Sequence, residues 1–204
     1  MEPGRGLRPG RAGTRQPLLA LGLDDGLGIP RQVVSSGDLT SWFAKGGNVS
    51  IPSAVDREAP VLAQHEIDIQ APVDEVWRLH MDVNAWTTWQ TDITEAHMDG
   101  RMEPGTSFSW SSFDFPVTST VYEVIPHERI LWGGTANGIT GIHEWIFEAT
   151  PEGVHVITNE SFSGAPVEAA RENMQQLLDA SLVAWLAHLK RAAESAAETP
   201  SSAG

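Results

Sequence analysis

The feature that most constrains this chain is a run of six short strand-like segments between residues 92 and 162. They cover about 92–99, 106–113, 116–125, 129–135, 139–149 and 154–162, and the breaks between them are DGRMEPG, DFP, PHE, ANG and PEG. Strands separated by such short turns pair with their neighbours as an antiparallel meander. A sheet of this kind has an apolar face that another element must cover.

Two helical patterns flank this run. Upstream, the alternating strand VLAQHEIDI leads into APVDEVWRLHMD, which has Pro72 at its start and Val73, Val76, Trp77 and His80 at helical spacing. Downstream, residues 165–196 form a long amphipathic pattern, with Met174, Leu177, Leu178, Ser181, Leu182, Trp185 and Leu189 on one stripe. The order predicts an α+β fold. A curved antiparallel sheet of about seven strands wraps around the C-terminal helix and encloses an apolar cavity.

The chain divides into a domain and flanking segments. Residues 1–30 are rich in Gly, Pro and Arg and are predicted to be a disordered tail. Residues 31–59 contain enough apolar material for a docked arm or lid. The ligand-binding domain is expected at 60–196, and a frayed tail at 197–204.

Charge and composition restrict the partners. Residues 1–60 carry seven Lys/Arg against six Asp/Glu, whereas the remaining 144 residues carry six against twenty-one. So acidic a domain should repel nucleic acid, and no apolar run is long enough to span a membrane. The absence of cysteine favours a cytoplasmic setting. The expected partner is a neutral hydrophobic small molecule; the oligomeric state is left open.

The segment GIHEWIFEATPEGVHVITNESFSG predicts a hairpin whose two faces can be assigned. A turn at TPEG places Ala149 opposite Val154 and His143 opposite Glu160. One face then holds the aromatic residues together with His143 and Glu160, and the other holds Glu144 and Glu148, which are expected to point outward.

A histidine and a carboxylate on an apolar wall are candidates for proton transfer. Burial raises the pKa of a carboxyl group and lowers that of an imidazole, whereas their mutual attraction acts in the opposite direction. Acid/base catalysis, pocket polarity without catalysis, and a structural pair near the sheet edge are all compatible with the pattern.

Other inward positions complete the candidate site. Tyr122, the single tyrosine, is placed on a strand face with Thr118, Thr120 and Val124, where its hydroxyl could orient a ligand oxygen. The candidate catalytic residues are His143, Glu160 and Tyr122, and the candidate ligand-binding residues are Trp110, Trp132, Trp145, Phe147, Thr158 and Trp185. The histidines show no metal-ligand spacing, so neither a metal nor a cofactor is expected.

Several segments resemble START-like (SRPBCC, helix-grip) domains of the polyketide cyclase/dehydrase branch. They are IDIQAPVDEVWRLHMDVNAWTTWQTDI, MEPGTSFSW, VYEVIPHERILWGG and IHEWIFEATPEGVHVITNESFSG. The resemblance covers about residues 60–195 and implies a helix-grip fold with a hydrophobic pocket for polyketides, lipids, sterols or hormones. Cyclases of this branch are often described with a pocket arginine, but Arg101 lies in a loop and Arg129 at a turn.

Two main functions follow as hypotheses. The first is a polyketide cyclase or dehydratase that uses His143 and Glu160 for acid/base chemistry. The second is a non-catalytic carrier or sensor of an apolar ligand. A weaker third is a protein-binding domain that acts through its acidic surface.

Overall fold

The computed structural model describes residues 51–112 and 115–197. The strands are β1 (Val61–Ile69), β2 (Ile93–Met98), β3 (Ser107–Ser112), β4 (Phe115–Ile125), β5 (Arg129–Ala136), β6 (Ile139–Thr150) and β7 (Gly153–Ser163). The helices are α1 (Val73–Met81), α2 (Trp86–Trp89), α3 (Ala165–Ala169) and α4 (Arg171–Ala197), and a short 3-10 helix spans Val83–Ala85. The predictions for 1–30, for the arm before residue 51 and for the tail after 197 lie outside the described residues.

The seven strands form one sheet in the order β1-β7-β6-β5-β4-β3-β2, and each neighbouring pair is antiparallel. Strands β2 to β7 follow each other as a meander, because each of their connections is short. The first strand pairs with the last, on the far side of β7 from β6. The predicted α+β, helix-grip architecture is confirmed.

Glycines occupy the tightest backbone positions at the β5–β6 hairpin. The turn consists of Asn137 and Gly138, which both have positive φ, as a two-residue type I′ turn requires. Close by, Gly134 lies opposite Gly141. A Cβ on Gly134 would lie 2.1 Å from the Thr118 carbonyl oxygen, so no larger residue fits at this position.

The long helix α4 covers the concave face of the sheet. Its buried residues are Leu178, Leu182, Trp185, Leu186, Leu189 and Ala193. Leu178 and Leu182 of the predicted stripe are buried, whereas Leu177, which was expected on the same stripe, is 41 % exposed. The predicted single helix is also divided, since Ala170 leaves helical geometry between α3 and α4.

Helix α4 also supports the free edge of β1 through its side chains. The Gln175 amide accepts from the Leu62 backbone N–H at 3.4 Å and donates to the Leu62 carbonyl at 3.0 Å. Further along, Lys190 donates to the Asp68 carbonyl at 2.6 Å. These bonds satisfy backbone groups that an edge strand otherwise exposes.

The segment 51–59 lies against the outer face of the sheet. Val55 is buried, and the Asp56 N–H donates to the Ser161 hydroxyl at 3.0 Å. Arg129 donates to the Ser53 carbonyl at 2.8 Å and to the Glu144 carboxylate at 2.7 Å. This part of the expected arm or lid is therefore a strap on the convex side.

Candidate functional site

The β6–β7 hairpin brings His143 and Glu160 together on the concave face. They are direct cross-strand partners, and Ala149 pairs with Val154 as the turn predicted. The hairpin register predicted from the sequence is confirmed. Both side chains are almost completely buried, with exposed fractions of 2 % for His143 and 11 % for Glu160.

His143 connects two oxygen-bearing side chains. Its Nδ1 lies 3.3 Å from Glu160 Oε2, and its Nε2 lies 2.7 Å from the Thr158 hydroxyl. The Thr158 hydroxyl also lies 3.4 Å from the backbone carbonyl of Glu144. These groups form a continuous polar chain, Glu160–His143–Thr158, inside an apolar wall.

Burial favours the neutral forms of both titratable groups. It raises the pKa of Glu160 to about 8. Burial, and then the neighbouring His80, lower the pKa of His143 well below its ordinary value. Both pKa shifts disfavour an ion pair, so the 3.3 Å contact brings together a carboxyl group whose protonated form is favoured and an imidazole whose neutral form is favoured.

A neutral His143 allows two directions for its hydrogen bond with Thr158. When the Thr158 hydroxyl donates to the Glu144 carbonyl, His143 Nε2–H donates to Thr158, and Nδ1 is left as an acceptor 3.3 Å from Glu160 Oε2. The Thr158 hydroxyl can equally donate to Nε2, in which case Nδ1 carries the imidazole proton. The chain can therefore support Glu160 both with and without its proton.

Aromatic rings enclose this polar chain. The His143 ring lies between Trp132 and Trp145, with centroid distances of 4.6 and 5.0 Å. Trp185 of α4 lies 6.5 Å from His143 and 5.7 Å from Trp145. The other two predicted ring residues join the same cluster, since Trp110 contacts Trp132 and Phe147 contacts His80.

His80 was not among the candidate site residues predicted from the sequence, although it lies in the same cluster. This α1 residue is fully buried, and its ring lies 4.7 Å from Trp145 and 5.8 Å from Trp86. Burial lowers its pKa to about 3, so the ring is neutral. The helical spacing of Val76, Trp77 and His80 already placed it on the apolar stripe, but that spacing could not show which strand residues it faces.

Tyr122 does not join the cluster. The register of β4 against β5 shifts between Val121 and Glu123, and Tyr122 occupies this bulge. Its ring lies against Gly133, whose neighbour Trp132 points into the core. The bulge also separates Tyr122 from Val124, which was expected on the same face but packs against the core.

The outer face holds a buried charge cluster. Glu144 points outward as predicted, but it is only 8 % exposed because it pairs with Arg129 and accepts a hydrogen bond from Asn159. Arg129 also pairs with Glu123. Arg129 therefore lies on the face opposite His143, and it does not provide the pocket arginine that the family resemblance implies.

Two pockets open at the surface of the described residues. One, of about 240 Å³, lies over β2–β4 beside Trp110, and the other, of about 330 Å³, lies between Ile67 and the last turns of α4. Neither is lined by His143 or Glu160. The rings of Trp132, Trp145 and Trp185 pack around His143 instead.

Of the remaining histidines, His65, His97, His127 and His155 pair with surface acids, whereas His188 contacts Gln90 and Thr91. His65 contacts Asp179 at 2.9 Å and His155 contacts Asp68 at 2.7 Å. No group of three or more potential metal ligands occurs within 51–112 and 115–197. In those same ranges no helix has the length and hydrophobicity needed to cross a membrane.

A seven-stranded antiparallel sheet around a long C-terminal helix defines the helix-grip class of α+β domains. Residues 60–194 match the family model described as polyketide cyclase / dehydrase and lipid transport. The chain therefore belongs to this family. No curated protein matches the chain.

Solved structures share the fold at low sequence identity. A hypothetical protein from Helicobacter pylori has a TM-score of 0.60 at 21% identity, over 71% of this chain and 98% of its own. The Zhui aromatase/cyclase from Streptomyces sp. R1128 has a TM-score of 0.58 at 16% identity, over 65% and 93% of the two chains.

The di-domain aromatase/cyclase StfQ from the steffimycin biosynthetic pathway has a TM-score of 0.58 at 17% identity, over 68% of this chain. The match spans 52% of StfQ, so this chain corresponds to about half of that protein. At these identities the likeness shows a common fold alone.

Proposed function

We propose that this domain binds a hydrophobic small molecule between the sheet and α4, and that Glu160 transfers protons to and from it. The observation that supports this most is the neutral Glu160–His143 contact of 3.3 Å, buried among tryptophan rings. A neutral carboxyl group with a pKa of about 8 can donate a proton near neutral pH, which an ordinary glutamate cannot.

Dehydration of a β-hydroxyketone is the reaction that fits this group. Glu160 gives its proton from one oxygen to the leaving hydroxyl while its other oxygen removes the proton on the neighbouring α-carbon. The C–H electron pair forms the C=C bond as the C–O bond breaks, water departs, and Glu160 regains its proton. Through its second tautomer, His143 offers Nδ1–H to the transient carboxylate, while Thr158 donates to Nε2.

The family description and the aromatase/cyclase structures support a polyketide-like substrate. The ring cluster provides the binding surface, through Trp110, Trp132, Trp145, Phe147 and Trp185. Tyr122 is not part of the proposed site, because its ring lies against Gly133 outside this cluster.

A second function, a non-catalytic carrier or sensor, is favoured by a different observation. Arg129, the arginine of the central strands, points to the outer face, so the proposed site has no cation from β5 or β6 to hold an enolate. In this alternative the Glu160–His143 contact only makes the interior polar.

A bicyclic hydroxytetralone that loses water to give a fluorescent naphthol separates the two functions. Glu160→Gln should lower the rate of naphthol formation by about 100-fold or more, because general acid–base catalysis contributes at least that much. Glu148→Gln, which changes an exposed carboxylate on the same hairpin, is the matched control. Binding without turnover by the unmodified protein would support the carrier, whereas equal rates for both variants would show that Glu160 is not the proton donor.

A further inference from the structure

The pocket of about 330 Å³ between β1 and the last turns of α4 is separate from the candidate site. Its lining residues are Ile67, Ala187, Lys190, Arg191, Glu194 and Ser195. The volume lies at the lower end of the range for small-molecule sites, which is about 300–1,000 Å³. Because neither His143 nor Glu160 lines this pocket, a ligand that binds here does not depend on the function proposed above.

Arg191 is the charged group of this pocket that has no partner. Four other cations of the described residues all pair with carboxylates, namely Arg78, Arg129, Arg171 and Lys190. Arg191 is exposed, and within 51–112 and 115–197 it forms neither a hydrogen bond nor an ion pair. An unpaired guanidinium presents a planar set of donors that can bind a carboxylate through two parallel hydrogen bonds.

The other two charged groups of the pocket are already engaged with each other and with β1. Lys190 Nζ lies 2.7 Å from Glu194 Oε1 and donates to the Asp68 carbonyl at 2.6 Å. Glu194 Oε1 also accepts from the Gln70 N–H at 2.9 Å. The hydrogen bonds from Lys190 and then from the Gln70 N–H lower the pKa of Glu194. Since Lys190 balances the charge of Glu194, the charge left for a ligand is that of Arg191.

The remaining surface of the pocket is largely apolar. Ile67 is half-buried on β1, and Ala187 is exposed on α4. The methylene groups of Lys190 and Arg191 add apolar area next to their charged ends. The pocket therefore combines an apolar surface with one available guanidinium.

We propose that this pocket binds an aryl or alkyl carboxylate, with the carboxylate on Arg191 and the apolar body against Ile67 and Ala187. Residues 61–204 carry six Lys/Arg against twenty-one Asp/Glu, so the domain as a whole repels anions. Recognition of an anion here therefore depends on the local contact with Arg191. This is a second ligand site, independent of the one proposed between the sheet and α4.

Two probes of nearly the same shape, 2-naphthoate and 2-naphthamide, test the recognition of the negative charge. With the full chain at neutral pH, isothermal titration should give a dissociation constant for naphthoate about tenfold lower than that for naphthamide, as expected for hydrogen bonds to a charged group. Arg191→Gln should lose most of this ratio. Arg171→Gln removes the same charge from an exposed position on the same helix, and it should keep the ratio.

A neighbouring histidine reports where the carboxylate lies. Burial lowers the pKa of His188, Asp92 raises it, and the charge of Arg191 lowers it. A carboxylate bound to Arg191 offsets that positive charge. Saturation with naphthoate should therefore raise the pKa of His188 in a proton NMR titration, whereas saturation with naphthamide should leave it unchanged.

The proposal is wrong if the unmodified protein does not bind naphthoate, or binds both probes with equal affinity. An unchanged ratio of affinities in Arg191→Gln would also overturn it, because the carboxylate would then lie elsewhere. The comparison of the two probes and the titration of His188 need only the unmodified protein, so they remain decisive even where a variant does not fold.

Discussion

Glu160 is the residue whose titration should be visible in the stability of the whole domain. Its pKa is raised to about 8 in the folded state, above the ordinary value of 4.5. The folded protein therefore holds this proton over a pH range in which the unfolded chain has lost it. The stabilisation of the folded state by this proton is fully present below about pH 4.5 and is lost as the pH rises through about 8.

Glu160→Gln removes this pH dependence, because glutamine does not titrate. We expect the free energy of unfolding of the unmodified protein to fall relative to that of the variant by roughly 3 kcal/mol between about pH 5 and pH 8, at about 1.4 kcal/mol per pH unit. Urea unfolding of both proteins at the two pH values measures this difference in the free energy of unfolding. Parallel curves for the two proteins would show that Glu160 titrates normally.

The sequence predicts some site residues well and others not at all. Alternation and the turn at Pro151 fix the hairpin register, so the contact between His143 and Glu160 could be predicted. Tyr122 was expected beside Val124, but a bulge between Val121 and Glu123 separates the two, and nothing in VTSTVYEVI marks where the extra residue lies. His80 lies on an apolar stripe, but its contact with Trp145 depends on how α1 packs on the sheet.

At the scale of elements, the contact between α4 and β1 has a direct consequence for the free edge of the sheet. Gln175 bonds both backbone groups of Leu62, whereas the adjacent Gln176 is exposed. Gln175→Ala should destabilise the domain by about 1 kcal/mol and accelerate amide hydrogen exchange at Leu62. Gln176→Ala is the control, and equal exchange rates in the two variants would contradict the role of Gln175.

The order and bounds of the elements were largely predictable, because turn residues divide the strands and the helical stripes are regular. The close backbone contacts within the sheet were less predictable. Gly134 approaches the Thr118 carbonyl and pairs with Gly141, and both are contacts between separate strands. In the sequence these glycines look like ordinary turn residues.

At the scale of the whole molecule, the strap at 51–59 should contribute to stability from the convex side. Removal of residues 1–59 deletes the buried Val55, the Asp56–Ser161 bond and the Ser53–Arg129 bond, whereas removal of residues 1–50 keeps them. We expect the shorter chain to be less stable than the longer one by about 2–4 kcal/mol. Urea unfolding of both chains tests this, and equal midpoints would show that the strap contributes nothing.

The ring cluster has a further consequence, which concerns light and not binding. Six tryptophans form an unbroken network in which neighbouring ring centroids lie no more than 6.5 Å apart. At such separations an excited indole passes its energy to the next before it emits. The fluorescence emission is therefore depolarised, and a quencher that contacts one ring quenches the fluorescence of all six tryptophans.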